Sequence, residues 1–514
     1  MKIMAIDYGD AHTGIAISDY TETLAGHSEV LHSRKQEEVL AGIRRLIAEH
    51  DVKLLVLGYP RNMDGSEGPR AEKCAAFGAL LRQETGLEVI LWDERRTTID
   101  AHNILFNSGK NAKKRKKTVD AVAAALSALE NTDNRVTLIE RQARLGRKLL
   151  TTGNGRCNLS NRHAGPTHYH GEDADFCRYA LEAFPAEETL AWFAEMGLET
   201  VTEEDGRVYP RSNMANSVLD VLRCALTAQR RFTLLAGDPA AGVKRKNGTF
   251  AVKLESGAAL TAQALILAAG GAAGSKAGGV MDGYRLAKEL GHHRTALYPA
   301  LVQIKTDPTY PRSLKGVKAE AAVTLERGGT VLAQERGEIL FTEYGVSGPA
   351  IFQISRCAAV GGEGLTLALD LWPEKNEAAV RAWLARRCAV ERAEALPCEQ
   401  VFVGAVHNRL GQMLVKYAGV DRAADCRTCG AADIERLAWA CKRFTMPVTG
   451  TCGFDQAQVT AGGLQTGEFD PRTMQSRLVP GLYACGEVLD IDGDCGGFNL
   501  QWAWSSGRLA GQLR

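Results

Sequence analysis

Short apolar runs punctuated by glycines organise the first 130 residues. Ile3-Met-Ala-Ile6 predicts a buried strand that stops at Asp7. Thr13-Gly-Ile-Ala-Ile-Ser18 predicts a second, and Gly9 and Gly14 fit a tight hairpin between them. Helical spacing predicts helices over 39–50 and 71–85. Lys53-Leu-Leu-Val-Leu57 and residues 87–92 predict strands, the latter running into Asp93-Glu94-Arg95. A further helical stretch, 99–106, precedes the loop Lys110-Asn-Ala-Lys-Lys-Arg-Lys-Lys117 and a helix over 121–130. Strands alternating with helices after an opening hairpin predict a mixed α/β sheet.

Beyond residue 132 the pattern restarts. Val136-Thr-Leu-Ile-Glu140 is a β-branched strand ending in an acid, the arrangement that holds an adenosine ribose. Such a strand needs a preceding strand, a G-x-G-x-x-G turn and a helix; here only residues 119–134 precede it, and they contain no glycine. The loop Thr152-Gly153-Asn154-Gly155-Arg156-Cys157-Asn158 offers donors for a phosphate or a ring, but it follows the acid and is not the dinucleotide fingerprint. Ala264–Ala269 is a buried strand that runs into Gly270-Gly271. Residues 298–447 mix strand patterns with charged helices and read as an inserted domain. The chain then returns with Thr460-Ala-Gly462-Gly463 and with Gly481-Leu-Tyr-Ala-Cys-Gly486-Glu487-Val-Leu-Asp490. The helix opening near Asn499 would aim unpaired N–H groups at an acceptor.

At 514 residues, two or three domains are expected. Hydrophobic content of 45% and charged content of 24% describe a soluble globular chain, while a net charge of +1 says nothing about partners. No apolar run approaches the roughly 18 residues of a membrane span, and Asp7 falls where a signal peptide needs its apolar core. A cytoplasmic protein without membrane contact is expected. Thirteen cysteines favour free thiols. Cys426-Arg-Thr-Cys429 is a single C-x-x-C, and the sequence shows no clear second pair for zinc, so it reads as structural or incidental.

Three acids, Asp7, Glu94 and Asp120, sit at predicted element edges. Clustered carboxylates need cations, and such a set suits two-metal phosphodiester hydrolysis, with the lysine-rich loop binding backbone phosphates. On spacing alone the lysine run reads first as a solvated loop and Asp120 as a helix-start acid favoured by the dipole, which does not justify a nuclease. Four motifs extend the argument: Ala5-Ile-Asp7-Tyr-Gly9 with His12-Thr-Gly14-Ile-Ala16; Leu57-Gly58-Tyr-Pro60 with Asn62-Met-Asp-Gly65-Ser; Trp92-Asp-Glu94-Arg95-Arg-Thr97-Thr98; and Lys116-Lys-Thr-Val-Asp120-Ala-Val-Ala-Ala124. In this order they resemble the YqgF/RuvX family. The resemblance implies an RNase H-like fold, trimming of the 5′ end of pre-16S rRNA, and Mg²⁺ (or Mn²⁺) held by Asp7, Glu94 and Asp120. An actin-like or sugar-kinase fold would need a second phosphate loop and an adenosine motif, and neither is visible.

The second region resembles the BaiN-like NAD(P)/FAD-dependent oxidoreductases through Arg147-Lys148, residues 152–158, Gly345–Pro349, Thr460–Gly463 and Gly481–Trp504. The resemblance implies that Glu140 binds the adenosine ribose. It places Arg147, Lys148, Asn154, Arg156, Asn158 and Gly270 near the cofactor, and Glu487, Asp490, Gly496, Gly497 and Asn499 along the ribityl chain and ring edge of FAD. NAD(P)H is the implied reductant. The expected architecture is α/β: an RNase H-like domain (1–131), then a Rossmann-like FAD-binding domain lacking its first βα unit (132–297 and 448–514) with an inserted α+β domain (298–447). One helix over roughly 119–133 is expected to end the nuclease and to serve as the stub of the flavoprotein, without replacing the lost strand. Three functions follow: a nuclease of ribosomal RNA carrying a flavoprotein impaired in FAD binding; a working flavin oxidoreductase with the first domain as an appendage; or a chain misfolded at an exposed strand edge. Oligomeric state, reduced substrate and cleavage position are not legible.

Overall fold

The structure, a computed structural model, describes residues 2–9, 12–18, 25–33, 35–59, 68–93, 120–143, 145–146, 149–274, 280–390 and 395–514. The chain forms two units, 1–112 and 113–514.

In the first unit, strands β1 (Lys2–Tyr8), β2 (His12–Ser18), β3 (Ala25–His32), β4 (Val52–Tyr59) and β5 (Glu88–Asp93) form one sheet in the order β3-β2-β1-β4-β5. The hairpins β1–β2 and β2–β3 are antiparallel, and β1–β4 and β4–β5 are parallel. This is the mixed sheet expected of an RNase H-like domain. Alternation buries Met4 and Ile6 of β1 and Ile15 and Ile17 of β2. Helices α1 (Gln36–His50) and α2 (Pro69–Thr85) cover the sheet, with Val39, Ile43, Leu46, Phe77 and Leu81 buried in its core. Both helices end on a left-handed residue, Asp51 and Gly86.

In the second unit, strand β6 (Val136–Glu140) pairs in parallel with the strand Phe232–Ala236, and Leu265–Leu267 pairs in parallel with Leu482–Ala484. Among the described residues no strand joins these two pairs. A doubly wound sheet has its first strand at that place, so the expected missing strand is seen as a sheet divided in two. Helix α3 (Asp120–Asn131) packs against both halves and along the final helix, Phe498–Ala510. Its residues 122–129 are all buried, as befits a helix apolar on every side. Close approach to the final helix rests on small residues: a Cβ on Gly507 would press on Ala123, and one on Gly511 on Ser127. Ser127 Oγ donates to the Arg508 carbonyl at 2.6 Å, and Arg508 pairs with Glu130.

The inserted segment is a closed six-stranded barrel running from Ile304–Thr306 to Phe444–Thr451, with helices packed against it. Its core includes Val323, Leu325, Ile339, Phe341, Leu367 and Phe444. No described helix is long and apolar enough to cross a membrane.

Candidate functional site

On β1, Asp7 lies opposite Gly14 of β2 and is exposed. The Cβ that Gly14 lacks would sit 3.7 Å from the Asp7 Cβ, so the hairpin leaves room beside the carboxylate. At Gly9 a side chain would collide with the His12 carbonyl, which explains the glycine in this turn. Glu94 lies outside the described residues. Asp120 opens α3 in the second unit, where a Cβ on Gly486 would meet its carboxyl group.

Glu140 ends β6 and is buried; one of its oxygens accepts the Gln142 N–H at 2.8 Å. Arg147 and Lys148 lie outside the described residues. Asn154 falls in the 3-10 turn Leu149–Gly155. The loop that follows is held by left-handed residues, Gly153, Gly155 and the non-glycine Cys157 at φ 63°. A non-glycine residue in that region costs energy and is kept where the loop's shape matters. Burial pushes the Cys157 thiol up to about 12, so it stays protonated. Arg156 lies 3.8 Å over the Tyr209 ring and pairs with Glu203 at 2.8 Å, which turns its charge toward its own loop.

Asn158 is brought against the glycine pair Gly496-Gly497. Its Oδ1 is buried without a hydrogen-bond partner, 2.7 Å from where a Gly497 Cβ would stand. Beside it, Asn161 Nδ2 donates to the Gly496 carbonyl at 2.9 Å, and Arg207 Nε lies 3.2 Å from the empty Gly496 Cβ position. A Cβ on Gly497 would collide with the Ser160 carbonyl, so that glycine lets two backbone segments approach closely. The orphaned Asn158 acceptor beside it fits a ring that carries its own N–H, as an isoalloxazine does. Glu487 Oε1 accepts the Thr460 N–H at 3.0 Å, and a Cβ on Gly271, next to left-handed Gly270, would strike both side chains.

Asp490 is buried beneath the loop and accepts the Glu172 N–H at 3.2 Å. Asn499 spends its amide within the loop: Oδ1 accepts the Gly493 N–H at 2.8 Å, and Nδ2 donates to the Gly493 carbonyl at 2.7 Å. Its contribution is to shape the turn. At the other end, the start of α3, the fit to a dinucleotide is poor: the glycine turn is missing and a carboxylate stands in the first helical turn.

The structure adds groups that sequence reasoning passed over. Asp494 is gripped by two imidazoles, His168 Nδ1 at 2.9 Å and His170 Nε2 at 2.9 Å. Burial pushes its carboxyl up, but these hydrogen bonds outweigh burial and hold it below the usual carboxylate range. The His168 ring stacks on Phe498 at 4.3 Å. Arg356, from the helix Pro349–Gly361, reaches both oxygens of buried Asp492 at 3.1 and 2.9 Å, and Gln353 of that helix accepts the Cys495 N–H at 2.8 Å. Gly348, at φ 112°, begins this helix where a side chain would collide with the Glu338 carbonyl. Gly345–Pro349 therefore serves the site by placing the helix that braces its loop. Asp492 and Asp494 stood within a motif already singled out; His168, His170 and Arg356 carry no local signal.

The chain matches the model of the HI0933-like protein Rossmann domain over residues 121–513 and that of the Holliday junction resolvase RuvX over residues 1–130. Both matches include residues 121–130, most of α3. Among similar proteins is the 3-dehydro-bile acid delta(4,6)-reductase of Clostridium scindens, 38% identical over 76% of this chain and 95% of its own length. The ribosomal RNA dihydrouridine synthase of Escherichia coli is 29% identical over 72% of this chain and 90% of its own. A protein of Halothermothrix orenii named "Putative pre-16S rRNA nuclease" is 42% identical over 24% of this chain and 90% of its own.

Proposed function

This chain belongs to the HI0933-like family and carries a RuvX-family segment ahead of it, and we propose that it is a two-unit enzyme of ribosomal RNA. Its first unit is a metal-dependent nuclease for the 5′ end of pre-16S rRNA; its second is a flavoprotein oxidoreductase weakened in FAD binding. The observation that carries the first part is Asp7, exposed beside the side-chain-free Gly14 on the middle strand of the five-stranded sheet. Asp7, Glu94 and Asp120 would hold Mg²⁺ or Mn²⁺, which when bound supply an attacking hydroxide and stabilise the leaving oxygen. The lysines of residues 110–117 would hold the RNA backbone, so affinity should fall steeply with salt. The test is cleavage of a pre-16S leader RNA by the full chain. Cleavage should need Mg²⁺, stop with EDTA and vanish in Asp7→Asn; an Asp7→Asn protein as active as the parent would end this reading.

For the second unit, Glu140, Asn158, Gly270, Glu487, Gly496 and Gly497 would hold FAD, and bound FAD would supply two-electron reduction. Asp494 is held beside the loop by His168 and His170, and Arg356 holds Asp492 in place. Weakness is proposed at the pyrophosphate. Phosphate contacts of this kind contribute about 1.5–3 kcal/mol each, and here the turn that makes them is absent while Asp120 adds a like charge.

A second reading is favoured by the buried, unpaired Asn158 oxygen beside Gly496-Gly497, an acceptor that a bound ring could satisfy. On this reading the second unit is a working NAD(P)H-dependent flavin reductase of a carbonyl-conjugated double bond, the feature shared by the substrates that the two reductive relatives' names imply. The first unit would then be a structural appendage, and the protein would act in the cytoplasm. Purified protein that is yellow with near-stoichiometric FAD would favour this reading over the first.

A further inference from the structure

We propose that the helices capping the inserted barrel carry a zinc site built from Cys388, Cys398, Cys426 and Cys429. Sequence spacing offered only the pair 426 and 429, and the fold supplies the other two. Cys388 lies in the last turn of the helix Glu377–Ala389, and Cys398 opens the 3-10 turn Cys398–Gln400. Cys426 opens the turn Cys426–Thr428, just before the helix Ala431–Lys442. A backbone bridge between Pro397 and Asp425 draws the segments together: Cys398 N–H donates to the Ala424 carbonyl at 2.8 Å, and Cys426 N–H to the Leu396 carbonyl at 2.8 Å.

The thiols consequently meet. Cys398 Sγ and Cys429 Sγ are 3.4 Å apart, and the Cys388 thiol is within hydrogen-bonding reach of both Cys426 and Cys429. Cys388, Cys398 and Cys426 are 5%, 1% and 0% exposed, and none of the four is in a disulfide. A buried cysteine usually packs alone as a small apolar residue. Four sulfurs gathered from three separate segments are instead the donor set of a closed structural site, and soft thiolates select zinc over harder cations. Among the described residues no three His, Cys, Asp or Glu side chains stand in metal-holding geometry, so the four thiols would have to rearrange around the ion. A tetrahedral ion with Zn–S of about 2.3 Å keeps sulfurs about 3.8 Å apart, so its entry would part the Cys398–Cys429 pair by a few tenths of an ångström.

Zinc binds cysteine as thiolate, so uptake should release protons and weaken as pH falls. Bound, it would tie the two helices and both turns into one cap.

The test uses the full chain purified under reductant without chelator. Elemental analysis should find about one zinc per chain. Cobalt in place of zinc should give the strong visible bands and near-ultraviolet sulfur charge transfer of tetrahedral thiolate. Cys398→Ser with Cys429→Ser should remove metal and bands, and Cys224→Ser, an exposed cysteine elsewhere in the chain, should keep both. Folded protein that carries no zinc and gives no cobalt bands would overturn the proposal. So would a Cys398–Cys429 disulfide found by mass spectrometry in the native protein. Should the double variant fail to fold, the cobalt spectrum of the unaltered chain decides.

Discussion

The carboxyl group of Asp120 lies against Gly486 so closely that any side chain at that glycine would collide with it. Gly486 cannot move aside: its N–H donates to Ser506 Oγ at 2.9 Å, and its carbonyl accepts the Trp502 indole N–H at 3.1 Å, all of it buried. It also sits at φ 72°. Gly486→Ala therefore combines overpacking, about 1–3 kcal/mol, with roughly 1–2 kcal/mol of left-handed strain. Calorimetry should show the second unit melting several degrees lower while the first is unchanged. An unshifted transition would mean that the start of α3 lies elsewhere.

Asp120 is the one residue with a proposed part in both units, so Asp120→Asn should move the two activities in opposite directions. As a nuclease ligand it should be indispensable, and RNA cleavage should disappear. As a like charge near the FAD pyrophosphate it should be a hindrance. Removing it should tighten FAD binding by about five- to tenfold, the ~1 kcal/mol of two unit charges about 4 Å apart and screened by water. Flavin fluorescence titration and a cleavage assay on one preparation read both effects. Loss of both activities, or of neither, would remove Asp120 from this dual position.

Several features were legible because their signals are local. β-branched runs gave β1, β2 and β6, and helical spacing gave α1 and α2. The absence of glycine between 119 and 134 announced the divided sheet. Most of helix α3 falls within both family matches, and Ala121-Val-Ala-Ala-Ala-Leu126 suits a buried helix packed on a sheet. The clamp on Asp494 and the brace from Arg356 were not legible, since both join segments more than 100 residues apart. The cysteine cluster was hidden although only 31 residues separate Cys398 from Cys429, because the Pro397–Asp425 bridge that draws them together has no local signal.

Asn158 offers a test of ligand binding separate from folding. Its buried Oδ1 makes no hydrogen bond within the protein, so its removal breaks no such bond and relieves a desolvated acceptor. Asn158→Leu should leave the melting temperature unchanged or slightly raised. If this oxygen accepts from the flavin ring, FAD affinity should fall by about five- to tenfold, or ~1–1.4 kcal/mol. A clear loss of stability with unaltered FAD affinity would make Asn158 a structural residue.

Asp492 should give the second unit a pH dependence of unusual sign for a carboxylate. Burial pushes it up to about 6, against the downward pull of Arg356 and His170. A folded value above the unfolded one means that its stabilising contribution is complete below about pH 4 and is lost as pH rises through about 6. Asp494 is held low, so its contribution changes only below that window. Asp490 is also raised by burial and acts in the same sense as Asp492, whereas His292, lowered by burial, acts in the opposite sense. The difference between the parent and Asp492→Asn therefore isolates the group. Relative to the variant, the parent should lose about 1–3 kcal/mol between pH 4 and pH 7, measured by denaturant unfolding at each pH. A constant difference across that range would show that Asp492 stays ionised and that its bond to Arg356 outweighs burial.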